Sequence, residues 1–260
     1  MEKLSKTETL VVPVAGILNV EAGEHSTAEL HFSRLSRKME KTLGIAVARP
    51  IVPVGLGVLQ SSKAIYEHFA KEVDARVQAN DQARVLFLGH SLGGLLCREF
   101  LARNYSRTER YIGAVTLGSP HLQVDERQWM GLYRGVVRNI DRFINNIPML
   151  DSPEEGGPDL HFVAASNDAV VPPSNALPDF PGATRSLLLG YNQKPPYDID
   201  MDKVTTFRMF PVGHNSMLVQ PQATNAITSI VANALGAQPE YASNIEPAQF
   251  DTPLSLVRPA

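Results

Sequence analysis

Apolar positions along this chain follow two rhythms. Leu10–Val14 is a short, unbroken, β-rich run, the pattern of a strand buried on both faces. Across Ser26–Leu43 the spacing changes: Leu30, Leu35, Met39 and Leu43 recur at helical intervals. Ile45–Val54 predicts a second strand, with Pro50 and Pro53 giving it an irregular exit. Ser61–Val77 returns to the helical rhythm, with Ile65, Phe69, Val73 and Val77 on one stripe. Arg84–Leu88 reads as a strand, Leu92–Asn104 as a helix, and Tyr111–Leu117 as a strand that stops at Gly118-Ser119-Pro120. Leu160–Ala165 and Val204–Phe210 are further strand candidates. Pro221–Leu235 is a closing helix with Gly236 as its stop. Apolar strands that alternate with helices predict an α/β fold: a single domain with a mostly parallel open sheet and helices on both faces.

Two stretches fall outside this alternation. Between two strands, residues 120–160 are longer than a simple crossover needs. There Trp129, Tyr133, Val136, Val137, Ile140 and Ile144 recur at helical spacing, with Arg127, Arg134, Arg138 and Arg142 between them. The segment reads either as a cap or lid over a pocket or as an amphipathic crossover helix. Gln238–Ala260 carries Pro239, Pro247, Pro253 and Pro259 and has no periodicity. The expected organisation is one domain over 1–236 and an extended tail over 237–260.

Composition narrows the class. The chain has 260 residues, 43% hydrophobic and 20% charged, which excludes a disordered protein. Lys and Arg number 24 and Asp and Glu 27, a net charge of −3, so no global basic footprint for nucleic acid exists. One cysteine cannot form an internal disulfide. The charged start Met1–Leu10 and the short apolar run Leu10–Leu18, broken by Pro13 and Gly16, lack the form of a secretory signal. No apolar run approaches the ~20 residues of a membrane helix. The expectation is a soluble, cytoplasmic protein without stable membrane insertion, of undetermined oligomeric state.

The candidate chemistry begins at Val85–Leu96, VLFLGHSLGGLL, which runs strand, Gly-His-Ser-Leu-Gly, helix. A serine on so tight a turn has a strained backbone and a protruding hydroxyl. Larger side chains at Gly89 and Gly93 would collide, and Gly94 lets the helix pack close to the strand. Ser91 is the nucleophile candidate, above a helix N-terminus that favours developing negative charge.

With LGHSLGG at 88–94, TLGSPH at 116–121, SNDAVVP at 166–172 and VGHNSM at 212–217, the chain resembles the α/β-hydrolase superfamily, in its lipase and esterase branch. The resemblance spans most of residues 10–236. It implies the chain order nucleophile, acid, histidine, which Ser91, Asp168 and His214 satisfy. Serine needs an adjacent base. Of seven histidines, His214 lies after the last strand and before the last helix, where the resemblance places the base. His25, His31 and His68 fall in predicted helices, and His90 sits inside the elbow. Asp168 follows the strand Leu160–Ala165 in turn-forming Ser-Asn-Asp, and Asp179 is its runner-up. Asp159 precedes the strand, at the wrong edge of the sheet. The resemblance also implies an oxyanion hole of two backbone amides. One is Leu92; the other is Ile17, with Leu18 its neighbour. Where relatives carry His-Gly, this chain has Ala15-Gly16. Leu18, His121, Trp129 and Tyr133 are the candidate pocket residues.

The expected function is therefore cleavage of carboxylic esters, small acyl esters or lipid-like ones, through an acyl-enzyme. The same triad also serves thioesterases and acyltransferases, and a non-catalytic ligand-binding homologue is a third reading. No cofactor is implied. Phosphate-loop, dinucleotide, CxxC and HExxH motifs are absent, so no metal site is expected. The acidic run Asp198–Asp202 lacks the rest of a calcium loop. Cys97 reads as a small buried hydrophobe.

Overall fold

Parallel pairing organises the molecule. The computed structural model describes residues 9–16, 21–22, 25–53, 61–80, 83–105, 109–122, 140–141, 144–148, 150–151, 153–178, 183–190, 204–207 and 212–236. In chain order the strands are β1 (Thr9–Val14), β2 (Glu21–Ala22), β3 (His25–Ser26), β4 (Ala46–Val47), β5 (Arg84–His90), β6 (Tyr111–Leu117), β7 (Asp159–Ala165), β8 (Ala183–Leu189) and β9 (Val204–Phe207). Seven of them form one sheet in the order β4-β1-β5-β6-β7-β8-β9, every neighbouring pair parallel. β2 and β3 form a separate antiparallel pair.

Helices cover both faces, and alternate strand residues explain why. Val11, Leu86, Leu88, Val115 and Val163 point into a core shared with helix α1 (Thr27–Leu43) and the C-terminal helix Pro221–Ala234. Val12, Val14, Val85, Phe87 and Ala114 point to the opposite core, under helices α2 (Ser62–Gln78) and α3 (Leu92–Asn104). Phe69, Phe87, Phe100 and Tyr111 interlock there, with ring centroids 5.2 to 6.5 Å apart. The predicted α2 stripe of Ile65, Phe69, Val73 and Val77 is buried, and Ser61 caps the helix by accepting a hydrogen bond from the Ala64 amide.

Three local readings are corrected. Leu30 is 72% exposed; the buried stripe of α1 is Ala28, Phe32, Leu35 and Met39, so Leu30 lies out of phase with it. The expected strand Ile45–Val54 shrinks to Ala46–Val47 plus a single bridge from Ile51 to Val14, because Pro50 has no N–H to give the ladder. β8 was not anticipated. It is the link between β7 and β9, and its Leu187, Leu188 and Leu189 are buried.

The predicted lid and tail largely lie outside the described residues. Within 120–160, Ile140 and Ile147 are buried on the α2–α3 side, and Ile144 packs partly against them.

Candidate active site

The site assembles where parallel strands end. Ser91 follows β5, Gly118 follows β6, Asp168 follows β7, and His214 follows β9 in sequence. In open α/β sheets this edge is where ligands bind.

Ser91 has φ 56° and ψ −127°, and it is the only non-glycine with positive φ among the described residues. Such a backbone costs about 1–3 kcal/mol and persists only where the surroundings enforce it. They do so here from three sides. The Ser91 amide donates to the Leu117 carbonyl at 2.9 Å. A Cβ on Gly89 would stand 2.5 Å from the Gly94 Cα, and one on Gly93 would strike the Val14 carbonyl. The turn therefore closes only with glycine at both places. Leu92 opens α3, so its amide is among those with no acceptor inside the helix.

His214 and Asp168 form the second half. His214 Nδ1 donates to Asp168 Oδ2 at 2.7 Å, and the Asp168 side chain is fully buried. Asp168 Oδ1 accepts from the Val170 and Val171 amides, each at 2.8 Å. One oxygen builds the turn and the other orients the imidazole. Turn chemistry and a partnership with histidine, which compete as readings of the sequence, coexist in one carboxylate. With Nδ1 committed, Nε2 is the ring atom able to take a proton. Ser216 stabilises the His214 loop by accepting from the Gly213 amide at 2.7 Å.

Two glycines join the halves. A Cβ on Gly118 would stand 3.0 Å from Asp168 Oδ2 and 3.2 Å from His214 Nδ1, so the pair rests on its bare backbone at φ +53°. A Cβ on Gly16 would lie 2.7 Å from the Ser91 Cβ and 3.2 Å from its Oγ. The loop after β1 thus passes directly against the serine, and glycine is what allows it. Among the hydrogen bonds of the described residues, none joins Ser91 Oγ to His214.

Other histidines take packing positions. His90 is buried, its ring centroid 4.6 Å from that of His214, and its Nε2 lies 3.0 Å from the His214 carbonyl oxygen. Burial, then the neighbouring His214, push its pKa down to about 3. His121 is also buried, edge-on to Phe162, with Nε2 2.9 Å from Thr116 Oγ1. Burial and the nearby Arg98 hold it well below the usual histidine range. Ile17, Leu18, Trp129, Tyr133 and the runner-up Asp179 lie outside the described residues. No group of three metal-ligating side chains occurs among the described residues.

The seven-stranded parallel sheet with helices on both faces matches solved structures of one architecture. The monoacylglycerol lipase of Paleococcus ferrophilus superimposes with a TM-score of 0.52 at 13% identity, over 88% of this chain and 95% of that one. Est1E from Butyrivibrio proteoclasticus gives 0.51 at 12%, over 89% and 90%. The RedJ thioesterase of the prodiginine pathway in Streptomyces coelicolor gives 0.51 at 16%, over 90% and 92%. The chain is an α/β-hydrolase-fold protein. Residues 22–146 also match the family model for class 3 lipases. That match contains the turn around Ser91 and stops short of Asp168 and His214. None of the curated proteins matches the chain.

Proposed function

We propose that this α/β-hydrolase cleaves carboxylic esters through an acyl-enzyme on Ser91. The observation that carries the reading is the His214–Asp168 hydrogen bond at the edge where Ser91 protrudes. Ser91 Oγ attacks the acyl carbonyl while His214 Nε2 takes its proton. Asp168 holds the imidazole in the tautomer with Nε2 free and stabilises the imidazolium. The tetrahedral oxyanion is received by the Leu92 amide, at the start of α3, and by the amide of Ile17, the residue that the family resemblance assigns to this role. His214 then protonates the leaving alkoxide, and water activated by the same ring releases the acid. Lipid-like and small acyl esters are the substrate class, in line with the class 3 lipase match. Among the described residues no helix is long and apolar enough to cross a membrane.

The test is hydrolysis of p-nitrophenyl esters from short to long acyl chains, with Ser91→Ala as control. Turnover that falls to background in the variant supports the reading, and the optimum chain length sizes the pocket. Silence toward every ester, with turnover of the matching thioesters, moves the assignment to thioester chemistry on the same serine.

A further inference from the structure

We propose that His90 is a positioning residue that ties the His214 main chain to the nucleophile turn and so fixes the approach of the base to Ser91. The inference rests on the Ser91–His214 chemistry proposed above.

The geometry is direct. A carbonyl oxygen only accepts, so the 3.0 Å contact requires a hydrogen on His90 Nε2 that is donated to the His214 carbonyl. His90 immediately precedes Ser91 and ends β5. Among the described residues this is the hydrogen bond that joins the His214 loop to that strand. The loop's other bonds run within itself, Gly213 with Ser216 and Met217, or toward the β7 side, from the Asn167 amide to the Val212 carbonyl and from His214 to Asp168. Asp168 alone would leave the imidazole able to swing about the Nδ1–Oδ2 line. A second fixed point on its backbone, placed on the serine's own strand, removes that freedom.

The side-chain type fits the role. His90 is only 3% exposed, and burial keeps it neutral. A neutral donor adds no cation beside the imidazolium that forms on His214 during attack. Asparagine is too short to bring its amide to the Nε2 position; glutamine reaches it.

The experiment compares His90→Gln, His90→Asn and His90→Leu in the full chain, reading kcat and KM on a p-nitrophenyl ester together with thermal stability. His90→Leu and His90→Asn are expected to lower kcat about 10–100-fold with KM within about threefold, the effect of a misplaced base. His90→Gln is expected to restore kcat to within about fivefold of wild type. Wild-type kcat in His90→Leu overturns the proposal. So does loss in His90→Gln equal to that in His90→Asn, which assigns the effect to ring packing. If His90→Leu does not fold, the Gln and Asn pair decides alone. A wild-type chain no more active than Ser91→Ala removes the catalytic reading and this inference together. Active wild type with active His90→Leu removes only the inference.

Discussion

At the residue scale the two oxygens of Asp168 separate stability from chemistry. Asp168→Asn keeps an oxygen for the Val170 and Val171 amides. It presents the wrong partner to His214 Nδ1, and kcat is expected to fall about 10⁴-fold with little change in melting temperature. Asp168→Leu loses both functions, and its stability should drop by a further ~1–3 kcal/mol as two amides go unpaired. Steady-state kinetics beside calorimetry on both variants checks this. Ser91 carries the opposite trade. Its positive φ is strain that glycine does not feel, so Ser91→Gly is expected to abolish turnover and raise stability by about 1 kcal/mol. A Ser91→Gly protein less stable than wild type would contradict the strain argument. The strain was legible in the sequence, because a serine flanked by Gly89 and Gly93 between strand and helix has no relaxed conformation. The division of labour within Asp168 was not, since it depends on a loop 46 positions away.

At the element scale, α3 is held against β1 and β5 by the absence of side chains at Gly89 and Gly93. Gly93→Ala drives a methyl into the Val14 carbonyl, a backbone atom of a buried central strand that has nowhere to move. It is expected to cost about 3 kcal/mol or more, the upper end of overpacking, and to reduce soluble yield. Urea unfolding of that variant, where it can be purified, gives the number. Helices were the most legible elements, because Ile65, Phe69, Val73 and Val77 mark one face unambiguously and Ser61 and Gly236 mark ends. Strands were less so. β8 lies after the Pro- and Gly-containing stretch 178–182, and its Leu187–Leu189 run is too short to distinguish strand from buried loop by periodicity. β4 failed in the other direction: its apolar run continues past Pro50, but the ladder breaks there and resumes only at Ile51, whose amide donates to the Pro13 carbonyl.

At the scale of the whole molecule, the sheet edge collects groups far apart in sequence, and buried titration follows. His90 binds no proton in the folded state until about pH 3, whereas the unfolded chain binds one near 6.5. Between those values the unfolded state holds more protons, so stability is lost as pH falls through that window. His90→Gln removes this contribution: between pH 7 and pH 5 wild type is expected to lose about 2 kcal/mol more stability than the variant. Equal losses would mean that His90 is not held neutral. The order Ser91, Asp168, His214 was read through the resemblance to the α/β-hydrolases, and in the structure each of the three follows a strand at the same edge. Gly118 beneath the pair and His90 behind it were not readable, since their partners come from other strands. The proposed chemistry turns on Ser91 as the nucleophile and His214 as its base. Labelling with a fluorophosphonate, followed by peptide mapping by mass spectrometry, tests it most directly. Ser91 Oγ displaces fluoride from phosphorus as His214 takes the proton. A single adduct on Ser91 is expected, absent in Ser91→Ala and formed about 10³-fold or more slowly in His214→Ala. An adduct on another residue, or a rate unchanged in His214→Ala, would contradict it.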